Sequence, residues 1–277
     1  MGGTRDHGNA GTAAAAACAL ALFAVSPAHA ESALAACKDI GEPFAFVEAV
    51  GARDGATIRL ADGREARLAG VIAATDLDGD AEAARRAAAA LEALVAGKRL
   101  ALHGKADAKD RYGRILVQAA LADEARWIAA ELVAAGHLRA APDLGEPACA
   151  DALIAREREA RAAKRGLWAV ERFQVQNADA LAALLAAKGR FAIVEGTVRR
   201  IGETNARTFL DFGRRYTEDF TIVIPRAARA AFQAAGIDLK SMRGKRVRVR
   251  GVLYESGGPA IELRTPAALE ILEREGA

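Results

Sequence analysis

Asp62-Gly63 constrains this chain more than any other pair of residues, because it stands between two short alternating segments. Both residues tolerate positive φ, which a two-residue hairpin turn demands. Before the pair, Thr57-Ile58-Arg59-Leu60 alternates apolar and polar positions; after it, Ala66-Arg67-Leu68 does the same. The stretch from Val50 to Asp76 therefore reads as a hairpin. Its second strand is expected to project Arg67 from one face and to pack Leu68 on the other.

The first thirty residues stand apart. Arg5 lies in a polar lead, Thr12 to Val25 is an apolar run, and Ala28-His29-Ala30 offers a small-residue cleavage site. Residues 1–30 read as a secretory signal peptide. No other run approaches the roughly 18 uncharged apolar residues of a membrane span, so a mature protein without a transmembrane segment, periplasmic or secreted, is expected. Leu34-Ala35-Ala36-Cys37 has the form of a lipoprotein box but sits downstream of the apolar run, and lipidation of Cys37 stays an alternative. Cys18 leaves with the signal peptide. Cys37 and Cys149 remain, and an even count in an oxidising compartment favours a disulfide over two buried free thiols. Its loop would contribute roughly 4–5 kcal/mol in the chain-entropy model.

Three blocks carry a resemblance. Val50-x-x-x-Asp54-Gly55-x-Thr57-Ile58-x-Leu60, followed after the turn by Arg67-Leu68-x-Gly70-Val71, is the first. Asp110-Arg111-Tyr112-Gly113-Arg114 is the second, and Ala155 to Trp168, ending in Gly166-Leu167-Trp168, is the third. In this order they resemble the thermonuclease family, the staphylococcal-nuclease-like domain. The resemblance implies an OB-type barrel over residues 31–170, with helices at Ala81–Val95, Ile128–Ala135 and near Ala150–Lys164. That family holds a calcium ion with two aspartates and uses a glutamate as its proposed general base. Here those positions read Ala56, Ile72 and Thr75. The two arginines that clamp the phosphate match Arg67 and Arg114, and Tyr112 would stack on a ligand. The resemblance thus implies an anion clamp without its metal site, and no cofactor is expected. Arg67 and Arg114 could equally survive as partners for Asp54, Asp107 or Asp110.

Beyond Trp168 the pattern changes. Residues 171–188 read as a polar linker and a short helix. From Gly189 to Ala277, three strands, a helix and two strands follow, with Ala267–Arg274 as a closing helix; this is the order of an OB-fold. The fold class expected is mainly β with α, two tandem five-stranded OB-type barrels. The excess of Lys and Arg lies after Gly189, whereas residues 31–170 are close to neutral. Lys245-Arg246-Val247-Arg248-Val249-Arg250 alternates, so Val247 and Val249 turn inward while Arg246, Arg248 and Arg250 share the other face. With Tyr216 and Tyr254 as stacking candidates, that face reads as a single-strand binding surface or as an ordinary solvated one.

Function follows in three versions. The first is an exported, inactive member of the thermonuclease family that binds nucleic acid or another polyanion. The second is a phosphodiesterase with a non-standard metal site, for which Asp76-Leu-Asp78-Gly-Asp80 is the only support. The third is an envelope adaptor; the sequence names no protein partner and no oligomeric state.

Overall fold

The computed structural model describes residues 1–3, 37, 41–75, 78, 80–145, 147–215 and 218–272. The signal-peptide reading, Asp76 and Tyr216 lie outside them.

The expected hairpin is the start of a barrel. Strands β1 (Ala45–Asp54), β2 (Thr57–Leu60) and β3 (Glu65–Leu68) follow one another antiparallel. The turn differs from the expected two-residue form. Leu60 N–H donates to Arg64 O at 2.9 Å across a three-residue loop, and only Gly63 has positive φ, at 83°. One residue in the left-handed region after a tight turn is the economical three-residue solution, and glycine takes it without strain. Asp62 serves instead as an acceptor for Arg64 N–H at 3.0 Å.

After β4 (Val71–Ala73) comes helix α1 (Ala81–Val95), capped by Asp80, whose side chain accepts Ala83 N–H at 2.9 Å. Strands β5 (Arg99–His103), β6 (Ile115–Leu121) and β7 (Arg126–Trp127) lead to α2 (Ile128–Ala134), β8 (Leu138–Ala140) and α3 (Pro147–Ala162). The sheet runs β3-β2-β1-β5-β6-β7, and a parallel β3–β6 pairing closes the first five of these strands into a barrel. Ile58, Leu68, Leu91, Leu100, Leu102, Val117, Ile128 and Leu153 fill it. Gly55 lets α1 lie against the β1–β2 turn, since a Cβ there would meet Ala87 Cβ at 2.6 Å. Cys37 and Cys149 are joined by a disulfide.

The second half is built on a second sheet. The polar stretch expected as a linker carries β9 (Gln176–Asn177) and the buried Phe173, before α4 (Leu181–Ala186). Then come β10 (Phe191–Thr197), β11 (Arg200–Glu203), β12 (Arg207–Asp211), β13 (Thr221–Pro225), α5 (Arg226–Ala234), β14 (Arg246–Ser256), β15 (Gly258–Glu262) and β16 (Leu269–Leu272). Its sheet runs β11-β12-β13-β15-β14-β10-β9, with β13 and β15 parallel. Strands β10 and β11, at opposite parts of this path, are separated in sequence only by Val198 and Arg199. The expected closing helix is a strand: β16 pairs antiparallel with β14, Leu269 opposite Val249 and Leu272 opposite Arg246. Local helix preference in an Ala/Leu/Glu segment yields to an open strand edge that offers paired backbone groups.

A seam joins the halves. Trp168, Ala141 and Ala160 pack with Phe191 and Ile193 of β10, and Ile72 of β4 lies against the same cluster. Trp168 is 2% exposed. Trp168→Phe is expected to lower stability by about 1–3 kcal/mol, as trimming of a packed large side chain does. An unchanged urea midpoint would show that the seam contributes nothing.

Candidate anion-binding cleft

The first two blocks of the sequence meet on one side of the first barrel. β3 presents Arg67, β6 is preceded by Arg114, and the turn between β5 and β6 carries Tyr112. They line a cleft of about 710 Å³ together with Ile72, His103, Lys105, Gln118, Asp143 and Leu144. Val252 of β14 closes one wall, so the cleft is shared with the second sheet. Tyr112 stands 67% exposed at the rim, where a stacking role would need it.

The arginines are held. Arg67 Nη1 donates to Leu68 O at 2.6 Å and Ala56 O at 3.3 Å, and its Nη2 donates to Val71 O at 2.8 Å. Burial pushes its guanidinium below the usual arginine range, opposed by the charge of Asp54. Arg114 donates through Nε to Asp110 at 2.7 Å and through Nη1 to Thr57 Oγ1 at 3.1 Å. Its Nη2 is 2.6 Å from the same carboxylate oxygen, and Asp54 lies 3.8 Å away. Burial would raise Asp110, but the Arg114 hydrogen bond and two backbone N–H groups outweigh it and hold the carboxyl below the ordinary range. Arg111 and Arg114 flank the Tyr112 ring at 4.8 and 5.2 Å. Asp54 serves its own turn, accepting Ala56 N–H at 2.9 Å.

The metal half of the site does not fit a calcium ion. Ala56 is buried and apolar, Ile72 packs toward the seam, and neither offers a side-chain oxygen. Thr75 is exposed, and its N–H and hydroxyl donate to Asp78 at 2.8 and 3.1 Å. Arg67 already places a cation against the carbonyls of Ala56, Leu68 and Val71. Asp78 is buried and lies 3.6 Å from Arg139, while Asp80 is spent on its cap. Among the described residues, no three His, Cys, Asp or Glu side chains gather as a metal site.

The arginine stripe of β14 is placed differently from expectation. Val247 and Val249 do turn inward, and the arginines do occupy the other face. That face is covered, not solvated. Arg250 is fully buried against α3, donating to Glu157 at 2.7 Å and also to Glu270. Arg248 donates to Glu195 at 2.6 Å and lies 3.6 Å from Glu270. Only Arg246 is open, at 56% side-chain exposure and paired with Glu195. Tyr254 is half-buried, and burial with the charge of Glu262 raises its hydroxyl.

The fold and cleft together define a five-stranded Greek-key barrel with a paired-arginine pocket on its side. Residues 67–170, from β3 of this barrel onward, match the family model of the staphylococcal nuclease homologues. No curated protein matches the chain. Among the described residues, no helix is long and apolar enough to cross a membrane.

Cleft residues that sequence reasoning missed are His103, Gln118, Asp143 and Val252. Gln118 fixes the cleft wall, bridging Ala69 O at 3.1 Å and Trp127 Nε1 at 2.9 Å. Asp143 is pushed up to about 6, by burial first, against the pull of the Arg264 and Thr265 backbone N–H groups. No local motif marks these positions.

Proposed function

We propose that the chain is an exported, non-catalytic member of the nuclease-like class that binds phosphate-bearing ligands, nucleic acid foremost, in the Arg67–Arg114 cleft. The observation that carries this reading is the split in the site. Both arginines and the tyrosine line one cleft, while the carboxylate positions hold Ala56, Ile72 and Thr75. With the three carboxylate positions of the resemblance apolar or neutral, the cleft lacks that route to activated water, while a guanidinium fork still suits a phosphate oxygen pair. Export is supported by the Cys37–Cys149 bond and by the reading of residues 1–30 as a signal peptide.

Asp110 is the gate on this reading, because it holds the fork of Arg114. Asp110→Asn is expected to tighten binding of thymidine 5′-phosphate by about tenfold, the scale of one charge-assisted hydrogen bond released to a ligand. Arg114→Ala should remove that binding. Isothermal titration of the three proteins decides it, and equal affinities throughout would return Arg114 to a purely internal role. Calcium-, magnesium- or manganese-dependent cleavage of single- or double-stranded DNA by the unmodified chain would overturn the non-catalytic half.

A further inference from the structure

A second basic surface lies at one end of the second sheet, away from the cleft, and the backbone assembles it from three parts of the sequence. Val198, at the bend between β10 and β11, accepts Gly244 N–H at 2.8 Å and donates to Lys245 O at 3.0 Å. The next residue, Arg199, donates its N–H to Asp211 O at 2.8 Å, and Phe212 N–H reaches Phe220 O at 3.1 Å. These bonds bring Arg199, the Arg214-Arg215 loop after β12, and the Arg243–Arg246 entry to β14 onto one rim. Arg199, Arg214 and Arg243 are exposed and form no ion pair among the described residues. Arg215 is only lightly engaged, 3.3 Å from Glu218 with both side chains open.

Charge counting along the seam adds to the rim. Glu195 serves Arg246 and Arg248; Glu270 serves Arg158, Arg248 and Arg250; Glu157 serves Arg161 and Arg250. Five arginines thus share three carboxylates. The buried members must keep the closest pairing, because an uncompensated charge costs most where water is absent. Positive charge is therefore in surplus along this seam, and Arg246, exposed while paired with Glu195, brings it to the rim. At its foot lies a cavity of about 420 Å³ lined by Gln176, Asn177, Thr197, Arg199, Phe212 and Arg246, with the carboxylates of Asp179 and Glu195 also on its wall, the latter paired with Arg246.

We propose that this rim binds the phosphodiester backbone of a single-stranded nucleic acid, with one nucleotide unit seated in the cavity between Arg199 and Arg246. Unpaired arginines set around an arc suit a repeated anion rather than one isolated ion, and guanidinium forks match phosphate oxygens. The cavity falls within the range that takes one small ligand, too small for a duplex, and its amides and hydroxyl offer hydrogen bonds to a base edge. The surface is separate from the Arg67–Arg114 cleft, so each can fail without the other.

The test uses the full chain and fluorescein-labelled dT12, with anisotropy followed across a range of potassium chloride concentrations. The Arg199→Ala, Arg214→Ala, Arg243→Ala triple variant should flatten the slope of log affinity against log salt by about 2, roughly 0.7 per lost phosphate contact. Affinity should fall by about tenfold or more at low salt. The matching triple lysine variant should regain most of the slope, and Arg114→Ala should leave the rim's share of it in place. Circular dichroism melting of the alanine variant should match the parent, since these side chains are exposed. An unchanged slope in the alanine variant would overturn the proposal. So would binding of heparin by the parent with none of dT12, which would mark the rim as a polysaccharide surface.

Discussion

Replacing Arg250 by Ala is expected to destabilise the protein by about 3–5 kcal/mol, the scale for removing one partner of a buried pair. Arg250 is fully buried and donates to Glu157, itself fully buried, and to Glu270. Burial alone would lower its guanidinium, yet the two carboxylates outweigh that and hold it above the usual arginine value. Its removal leaves buried Glu157 with Arg161 at 3.8 Å and the Ala140 N–H at 2.7 Å. The contribution lies in the pairing, so the double variant Arg250→Met, Glu157→Leu should be more stable than Arg250→Met alone. Urea midpoints for parent, single and double variants measure this. A single variant as stable as the parent would mean that water reaches the seam.

The same network sets an acid limit. Burial would raise Glu270, but the charge of Arg250 and hydrogen bonds from Arg158 and Arg250 prevail and lower it from its ordinary 4.5. A carboxyl lowered in the folded state contributes stability that is fully present above about 4.5 and is lost as pH falls through its folded value. Melting temperature should therefore hold as pH falls to about 5 and drop below 4.5, and Glu270→Gln should flatten that drop.

How much of this was legible in the sequence depends on how local the cause is. Turn chemistry is local, and Asp62-Gly63 announced its hairpin; the three-residue form depends on a single glycine φ, which no pattern specifies. Helix α1 coincides with the expected Ala81–Val95 because an N-cap aspartate and an apolar stripe lie within its own segment. The arginines of β14 show the opposite case. Alternation assigned their face correctly, but what covers a face is decided by another element. One signal was present and passed over. Leu153, Glu157 and Ala160 share one side of α3, so Glu157 stands as a lone charge in an apolar stripe and asks for a buried cation. Arg139, inside Leu138-Arg139-Ala140-Ala141, makes the same request. It is 2% exposed and donates to Phe191 O at 2.9 Å, between the rings of Phe173 and Phe191. For the cleft, Arg67, Arg114 and Tyr112 were readable from motif spacing, whereas Val252 comes from the separate second sheet and is visible only once the halves are docked.

Loss of the Cys37–Cys149 bond is expected to lower stability by up to about 4–5 kcal/mol. The two residues are 112 apart in sequence, and cross-linking so long a loop removes much of the freedom of the unfolded chain. The native side matters as well. Both cysteines are buried in the first core, and Cys149 sits in the opening turn of α3, ahead of Leu153, Ile154 and Glu157. The bond therefore fixes the helix that carries Glu157 to Arg250. The double variant Cys37→Ser, Cys149→Ser should still fold, because the two cores hold without it, but with a lower urea midpoint. Its melting should be indifferent to reductant, whereas the parent should melt earlier when reduced. Loss of the bond should also weaken the coupling between Glu157 and Arg250, so that Arg250→Met costs less in the serine background than in the parent. A parent that melts identically with and without reductant, or whose exported form carries two free thiols by mass, would remove the disulfide from the account of both stability and export.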